Sequence, residues 1–180
     1  MSNIHLPAYI SNTDFLKVVS AVSDNSYLIT IKVQNYFFIE TIESQDVVLN
    51  FMDRATSSIK MLFESFNIKD FTIQRVQNYI FLWSNEDISQ CSDNLKSYLN
   101  SYHMDDLAHV HLIFQVTSRY GKLNSVLEES IGFLESISPQ ITKRDLDNHS
   151  IIGLLEEYKL LGILKASISN KAAFFAYQPI

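Results

Sequence analysis

Glycine is scarce in this chain of 180 residues: it contains four, and the first 120 residues contain none. Phosphate-binding loops of the Rossmann and P-loop kinds need glycine, because only a residue without a Cβ lets the backbone approach a phosphate so closely. The first two thirds of the chain therefore exclude both motifs. The four glycines stand singly, without the spacing of either motif, and we expect them at turns or helix ends.

Cysteine and positive charge are also scarce. A single cysteine, Cys91, can form neither an intramolecular disulfide nor a zinc site of several thiolates, and it suits a reducing compartment. The 14 basic and 20 acidic residues give a formal net charge of −6, which argues against binding nucleic acid through its phosphates. No apolar run approaches the roughly 20 residues of a membrane span, and the first ten residues do not resemble a signal peptide. We therefore expect a cytoplasmic protein without nucleic-acid or membrane contacts.

Hydrophobic residues are abundant, at 47% of the chain, and their spacing predicts a folded α+β domain. The predicted elements are helix 13–22, strand 27–33, helix 46–66, strands 71–76 and 79–84, helix 87–102, strand 109–117 and helix 123–137. Gln77 and Asn78 alone separate the middle strands, as in a tight hairpin, and asparagine tolerates the left-handed conformation that such a turn needs. This order predicts a ferredoxin-like sandwich with a central, mostly antiparallel sheet.

The C-terminal residues differ in kind from the predicted domain. Residues 140–148 form a polar, charged interval that is the best candidate linker. Beyond it, 151–167 has the apolar period of a helix, and 173–180 is β-rich. A strand that stops in bare apolar surface would be an unpaired edge, so we expect that the chain is part of a longer one. The predicted division is 1–140 and 141–180.

The last four residues, Tyr177 to Ile180, read Y-Q-P-I. They resemble the start of the EAL phosphodiesterase domain of cyclic-di-GMP signalling proteins, whose first strand contains that motif. Residues 1–140 resemble a degenerate GGDEF domain, the diguanylate cyclase domain. The D-x-D-x-F-K-x-I-N segment of that family aligns with residues 32–40, and its R-x-G-G-D-E-F hairpin aligns with residues 75–81. The resemblance implies a nucleotide cyclase-like α/β sandwich.

The resemblance also implies that the cyclase chemistry is lost. Lys32 stands where the family has its first metal-binding aspartate, and an ammonium group cannot ligate a divalent cation. Glu40 replaces the asparagine that contacts guanine, whereas Asp46 matches the aspartate that also contacts the base. The signature hairpin keeps Arg75, and its degenerate positions are Gln77, Asn78, Tyr79, Ile80 and Phe81, of which Phe81 alone matches. Tyr79 and Ile80 replace the two acids that hold metal and help to activate the 3′-hydroxyl in that family. Without metal-binding acids, phosphoryl transfer is not expected, so we predict no enzyme activity, metal or cofactor.

Several candidate residues have two interpretations. Asp46 is either a remaining guanine contact or an acid that favours the start of a helix. Arg75 is either a phosphate clamp or a surface residue whose stem covers apolar side chains. His109 and His111 have the spacing of a metal pair or of ordinary strand histidines. Cys91 lies on an apolar helix face, which favours core packing over a nucleophile.

The sequence supports three hypotheses for function. The first is a non-catalytic regulatory domain that modulates an adjoining EAL phosphodiesterase domain, with helix 151–167 connecting the two. The second is an allosteric sensor that binds GTP or another purine near Asp46 and Arg75. The third is an unrelated α+β sensor or dimerisation module, with a second copy of the chain as its partner.

Overall fold

The computed structural model describes residues 13–22, 24–42, 45–101, 114–137 and 160. The chain divides into two compact units, residues 1–102 with 112–141 and residues 103–111 with 142–180. All described residues except Leu160, which is exposed, belong to the first unit. The predicted linker, the EAL-like residues and both strand histidines lie outside the described residues. Within the described ranges, no helix is long and apolar enough to cross a membrane.

The first unit is an α+β fold built on one antiparallel sheet, which confirms the predicted class. Its elements are α1 (Thr13–Ala21), β1 (Asn25–Val33), α2 (Tyr36–Ile42), α3 (Gln45–Ser65), β2 (Thr72–Val76), β3 (Tyr79–Ser84), α4 (Cys91–Ser101), β4 (Phe114–Lys122) and α5 (Leu123–Ile137). The strand order is β2-β3-β1-β4, and each neighbouring pair is antiparallel. Strand β1 is therefore central, between β3 and β4, although β3 follows it only after two helices and another strand.

Helices cover both faces of the sheet because successive strand residues point to opposite sides. On one face, α5 and α1 bury a core that comprises Phe15, Val19, Leu28, Val76, Tyr79, Phe81, Trp83, Leu123, Val126, Leu127, Ile131 and Leu134. On the other face, α3 reaches β2 through an ion pair between Asp53 and Arg75. The ring of Phe51 on α3 lies 6.5 Å from that of Phe114 on β4.

The hairpin between β2 and β3 forms as predicted, but its left-handed residue is Gln77 rather than Asn78. Gln77 has a φ of 50°, and Asn78 does not have a positive φ. Asn78 is instead fixed against the end of β1: its Nδ2 donates a hydrogen bond to the carbonyl oxygen of Val33 at 3.3 Å, and its own carbonyl accepts one from Val33 N at 2.8 Å. Buried asparagine therefore joins two strands, while the exposed glutamine takes the strained turn position.

One helix was missed, and two elements differ from the sequence predictions by four or more residues at one end. Helix α2, at Tyr36–Ile42, was not predicted, because a seven-residue run of mainly apolar residues shows no polar face. Strand β4 continues to Lys122, beyond the predicted end at 117, since its whole length pairs with β1. Helix α4 begins at Cys91 rather than at 87.

The described glycines lie within regular elements rather than at turns or helix ends. Gly121 is in β4 with a φ of +155°, and a Cβ built there would lie 3.0 Å from Val126 Cγ1. Gly132 is inside α5, and nothing lies within 4 Å of the position of a Cβ. The prediction was wrong because it placed each glycine by its flexibility, whereas β4 and α5 are held by the pairing and packing of their neighbours.

We expect replacement of these two glycines by alanine to change the free energy of unfolding in opposite directions. Gly121→Ala is expected to lower the free energy of unfolding by about 1–3 kcal/mol, because of backbone strain and the contact with Val126. Gly132→Ala is expected to raise it by about 0.5–1 kcal/mol, because alanine reduces the entropy of the unfolded chain. Urea unfolding of both variants measures the difference, and an equal change in the two would contradict the assignment.

Candidate functional site at the hairpin end of the sheet

A row of side chains crosses the sheet beside the β2–β3 hairpin. Val76 pairs with Tyr79, Tyr79 pairs with Lys32, and Lys32 pairs with Gln115. Directly opposed residues of antiparallel strands point to the same face, and here that face lies under α5, because Val76 and Tyr79 belong to the core that α5 covers. The structure therefore brings together Lys32 and Tyr79, two positions that the sequence singled out in separate segments.

Lys32 has its charged end in the protein interior, and a carboxylate neutralises it there. The side chain of Lys32 is fully buried, and its Nζ lies 3.0 Å from Oε1 of Glu135 on α5, whose side chain is 23% exposed. The hydroxyl of Tyr79 donates a hydrogen bond to the same carboxylate oxygen. The ammonium also lies 5.9 Å from the centre of the Tyr79 ring. We call these three residues the Lys32–Glu135–Tyr79 cluster.

Glu135 is the member of this cluster that sequence reasoning missed. It is one of three glutamates on α5, with Glu128 and Glu129, and no local pattern distinguishes it from a solvated surface acid. A buried lysine implies that an acidic partner lies nearby, because an ammonium group without a counter-charge is strongly unfavourable in the interior. The identity of that partner depends on how α5 crosses the sheet, which only the tertiary structure decides.

Further polar groups are buried under α5 close to this row. Thr30 lies two residues before Lys32 and so on the same face, and both Thr30 and Ser130 are fully buried. Within the described part of the chain, Thr30 Oγ1, Ser130 Oγ and Gln115 Oε1 have no hydrogen-bond partner. Each buried polar atom without a partner costs about 1–3 kcal/mol. The contact between α5 and the sheet is therefore less favourable than its apolar residues alone would make it.

Arg75 lies on the other face of the sheet and is engaged by an acid. Its Nη2 is 3.0 Å from Oδ1 of Asp53 on α3, and the two side chains are 25% and 64% exposed, respectively. Asp46, in the first turn of α3, is exposed. Because seven residues make two helical turns, Asp46 lies on the same side of α3 as Asp53, about 10 Å along the axis. Arg75 therefore pairs with Asp53 rather than with Asp46.

A buried phenol and a further acid lie near Arg75. Tyr36, the first residue of α2, is 4% exposed. Burial raises the pKa of Tyr36, the charge of Glu40 raises it further, and the charge of Arg75 lowers it. Asp53 pairs with Arg75, and the charge of Glu40 acts on Tyr36. Both negative charges oppose the binding of a triphosphate here.

The remaining hairpin residues are apolar or neutral. Gln77 is exposed at the tip, Asn78 is 1% exposed, and Tyr79, Ile80 and Phe81 are fully buried. Tyr79 and Phe81 stack with their rings nearly parallel and their centres 5.6 Å apart. Among the residues that the structure describes, no group of three or more histidine, cysteine, aspartate or glutamate side chains is arranged to hold a metal ion.

Cys91 packs in the core and is expected to react slowly. It is buried at the start of α4, and burial raises the pKa of its thiol, with a smaller contribution from the charge of Asp87. Because the thiolate is the nucleophile, we expect native protein to be alkylated by iodoacetamide at neutral pH more slowly than urea-unfolded protein, by a factor on the order of ten. Equal rates in the two states would show that Cys91 is accessible.

A separate cavity lies away from these residues. It has a volume of about 180 Å³ and is lined by Lys96, Leu99, Phe114 and Val116. These residues belong to α4 and β4, and none of the candidate residues that the structure describes lines the cavity. The Lys32–Glu135–Tyr79 cluster is therefore the better candidate site, because it contains two positions that the sequence singled out and the structure brings them into contact.

No protein-family model, curated protein or solved structure matches this chain. The arrangement of its own residues is therefore the basis for assigning a function.

Proposed function

We propose that residues 1–140 are a catalytically inactive GGDEF-like domain that regulates an adjoining EAL phosphodiesterase domain in a cyclic-di-GMP signalling protein. The supporting observation is the Lys32–Glu135–Tyr79 cluster. The resemblance assigns metal-binding acids to the positions of Lys32 and Tyr79, and these two residues, far apart in the sequence, are direct partners across β1 and β3. Two residues that bind the same metal ions must lie close together, and these two positions do so.

The cluster also explains why such a domain would be inactive. A diguanylate cyclase needs divalent cations to hold and neutralise the triphosphate during transfer. Here the ammonium of Lys32 carries the positive charge, and Glu135 already neutralises it at 3.0 Å. A metal ion at this place would have to displace a buried cation, and Tyr79 offers a neutral hydroxyl in place of a carboxylate.

The order of the strands is consistent with this proposal. A β-α-β-β-α-β succession with its first and third strands in the centre is the ferredoxin-like arrangement, on which the nucleotide cyclase-like sandwich is based. In this chain β1 and β3 occupy the centre of the sheet, and β2 and β4 flank them. The hairpin that would bear the signature residues lies beside the end of β1, through the bonds between Asn78 and Val33.

Purine binding near Asp46 and Arg75 receives less support. The guanidinium is paired with Asp53 at 3.0 Å, and the charge of Glu40 acts on Tyr36, as does that of Arg75. A triphosphate would have to displace one acid and approach others. We therefore expect no heat of binding when GTP and Mg²⁺ are titrated into the full-length protein.

The test compares the full-length protein with a version that lacks residues 1–140. Hydrolysis of cyclic-di-GMP is measured for both, and synthesis of cyclic-di-GMP from GTP and Mg²⁺ is measured for the full-length protein. We expect the deletion to change the hydrolysis rate several-fold and expect no synthesis. An unchanged hydrolysis rate would overturn the regulatory role, and synthesis from GTP would overturn the inactivity.

A further inference from the structure

Helix α5 is attached to the sheet by a contact that mixes apolar and polar groups. Its buried residues are Leu123, Val126, Leu127, Ser130, Ile131 and Leu134. Ser130 is the polar residue among them, and Glu135 follows them near the end of the helix. Both meet a sheet face that contains buried Thr30 and Lys32. The C-terminal half of α5 is therefore held by an ion pair as well as by apolar packing.

The energetic consequences of lifting α5 differ between these groups. Leucine and isoleucine side chains lose favourable burial when they are exposed to water. Thr30 Oγ1 and Ser130 Oγ, which have no hydrogen-bond partner among the described residues, gain hydrogen bonds to water. Separating Lys32 from Glu135 is unfavourable, because it gives up an attraction between charges that is stronger in the protein interior than in water. The ion pair therefore opposes local opening, whereas the polar groups without a partner favour it.

We propose that the Lys32–Glu135 ion pair is a latch that holds α5 on the sheet, and that its release alters the activity of the chain that follows residue 137. Helix α5 ends at Ile137, so a change in its docking moves the point from which the next residues of the chain continue. The latch itself is a property of the first unit. Its effect on a neighbour rests on the proposed function.

Hydrogen exchange of the full-length protein tests the latch. The central variant is Glu135→Gln, which keeps an acceptor for the Tyr79 hydroxyl but removes the counter-charge of Lys32. We expect the amides of α5 to exchange at least about tenfold faster, while those of β1 and β3 are unchanged, because lifting α5 lets water reach the ammonium. The double variant Lys32→Met/Glu135→Gln removes the buried charge and is expected to restore protection.

Matched controls separate the latch from a general loss of stability. Glu64→Gln removes a carboxylate from the exposed pair with Lys60, whose atoms are 4.0 Å apart, and is expected to leave exchange in α5 unchanged. If Glu135→Gln does not fold, Tyr79→Phe removes one hydrogen bond from the carboxylate and is expected to raise exchange in α5 about threefold. Unchanged exchange in α5, or an equal rise in all elements, would overturn the latch.

The activity of the neighbour distinguishes failure of the latch from failure of the proposed function. We expect Glu135→Gln to change cyclic-di-GMP hydrolysis in the same direction as deletion of residues 1–140. If α5 opens and the deletion changes hydrolysis but Glu135→Gln does not, the regulatory role of the latch is overturned and the proposed function stands. If the deletion has no effect, the proposed function is overturned, whatever the exchange of α5.

Discussion

Replacing Lys32 by aspartate is expected to lower the free energy of unfolding by about 3–5 kcal/mol at neutral pH. In the wild type, the Lys32 side chain is fully buried and its Nζ lies 3.0 Å from Oε1 of Glu135. The substitution replaces this ammonium group by a second carboxylate beside Glu135. Two like charges then share a site that has lost its cation. Urea unfolding followed by the fluorescence of Trp83, which is buried in the same core, measures the loss.

The loss should depend on pH in a defined direction. Repulsion between the introduced carboxyl group and Glu135 raises their pKa values in the folded state above those in the unfolded chain. A raised folded-state pKa means that the stability gained by protonation is present at acidic pH and is lost as the pH rises through that pKa. The deficit of Lys32→Asp relative to the wild type should therefore be smaller at about pH 4 than at about pH 7.

An exposed lysine provides the control for Lys32→Asp. Lys60 lies 4.0 Å from Glu64 on the surface of α3, and its side chain is 58% exposed. Because water screens exposed charges, Lys60→Asp is expected to cost less than about 1 kcal/mol. Equal losses from Lys32→Asp and Lys60→Asp would show that Lys32 is not buried in an ion pair.

Truncating Phe81 is expected to lower the free energy of unfolding by a similar amount, about 3–5 kcal/mol. Phe81 is fully buried in the middle of β3. Its ring lies 4.9 Å from that of Phe15 on α1 and 5.6 Å from that of Tyr79. Phe81→Ala therefore removes an aromatic contact between α1 and the sheet and leaves a cavity that its neighbours cannot fill completely.

The control for Phe81→Ala is an exposed apolar residue on a helix. Met61 on α3 is 63% exposed, and Met61→Ala is expected to change the free energy of unfolding by less than about 0.5 kcal/mol. Both variants are measured by urea unfolding under the same conditions. A loss below about 1 kcal/mol for Phe81→Ala would mean that α1 does not pack on β3.

The sequence was sufficient where a single element carries its own periodic signal. Helix α5 and strand β3 have the predicted bounds, and α3 differs from its prediction by one residue at each end. Asn67, two residues after the end of α3, has a φ of 61°, the left-handed conformation in which helices commonly end. In these segments the period of apolar residues matches the geometry of the element, so local and long-range preferences agree.

Local signals failed where a residue is positioned by contacts with distant parts of the chain. The turn position of Gln77 follows from the bonds that fix Asn78 to Val33, and the length of β4 follows from its pairing with β1. Gly132 inside α5 is tolerated because neighbouring side chains hold the helix on the sheet. The conformational propensities of the individual residues do not predict these three features.

The amino-acid sequence by itself determined most of the elements and the α+β class. Only the tertiary structure decided that β1 lies between β3 and β4, that Arg75 meets Asp53, and that Glu135 neutralises Lys32. The physical reason is the range of the interactions. Helical and strand periods are set by neighbours within a few residues, whereas the partner of a buried charge is whichever group the packing of distant elements brings within reach.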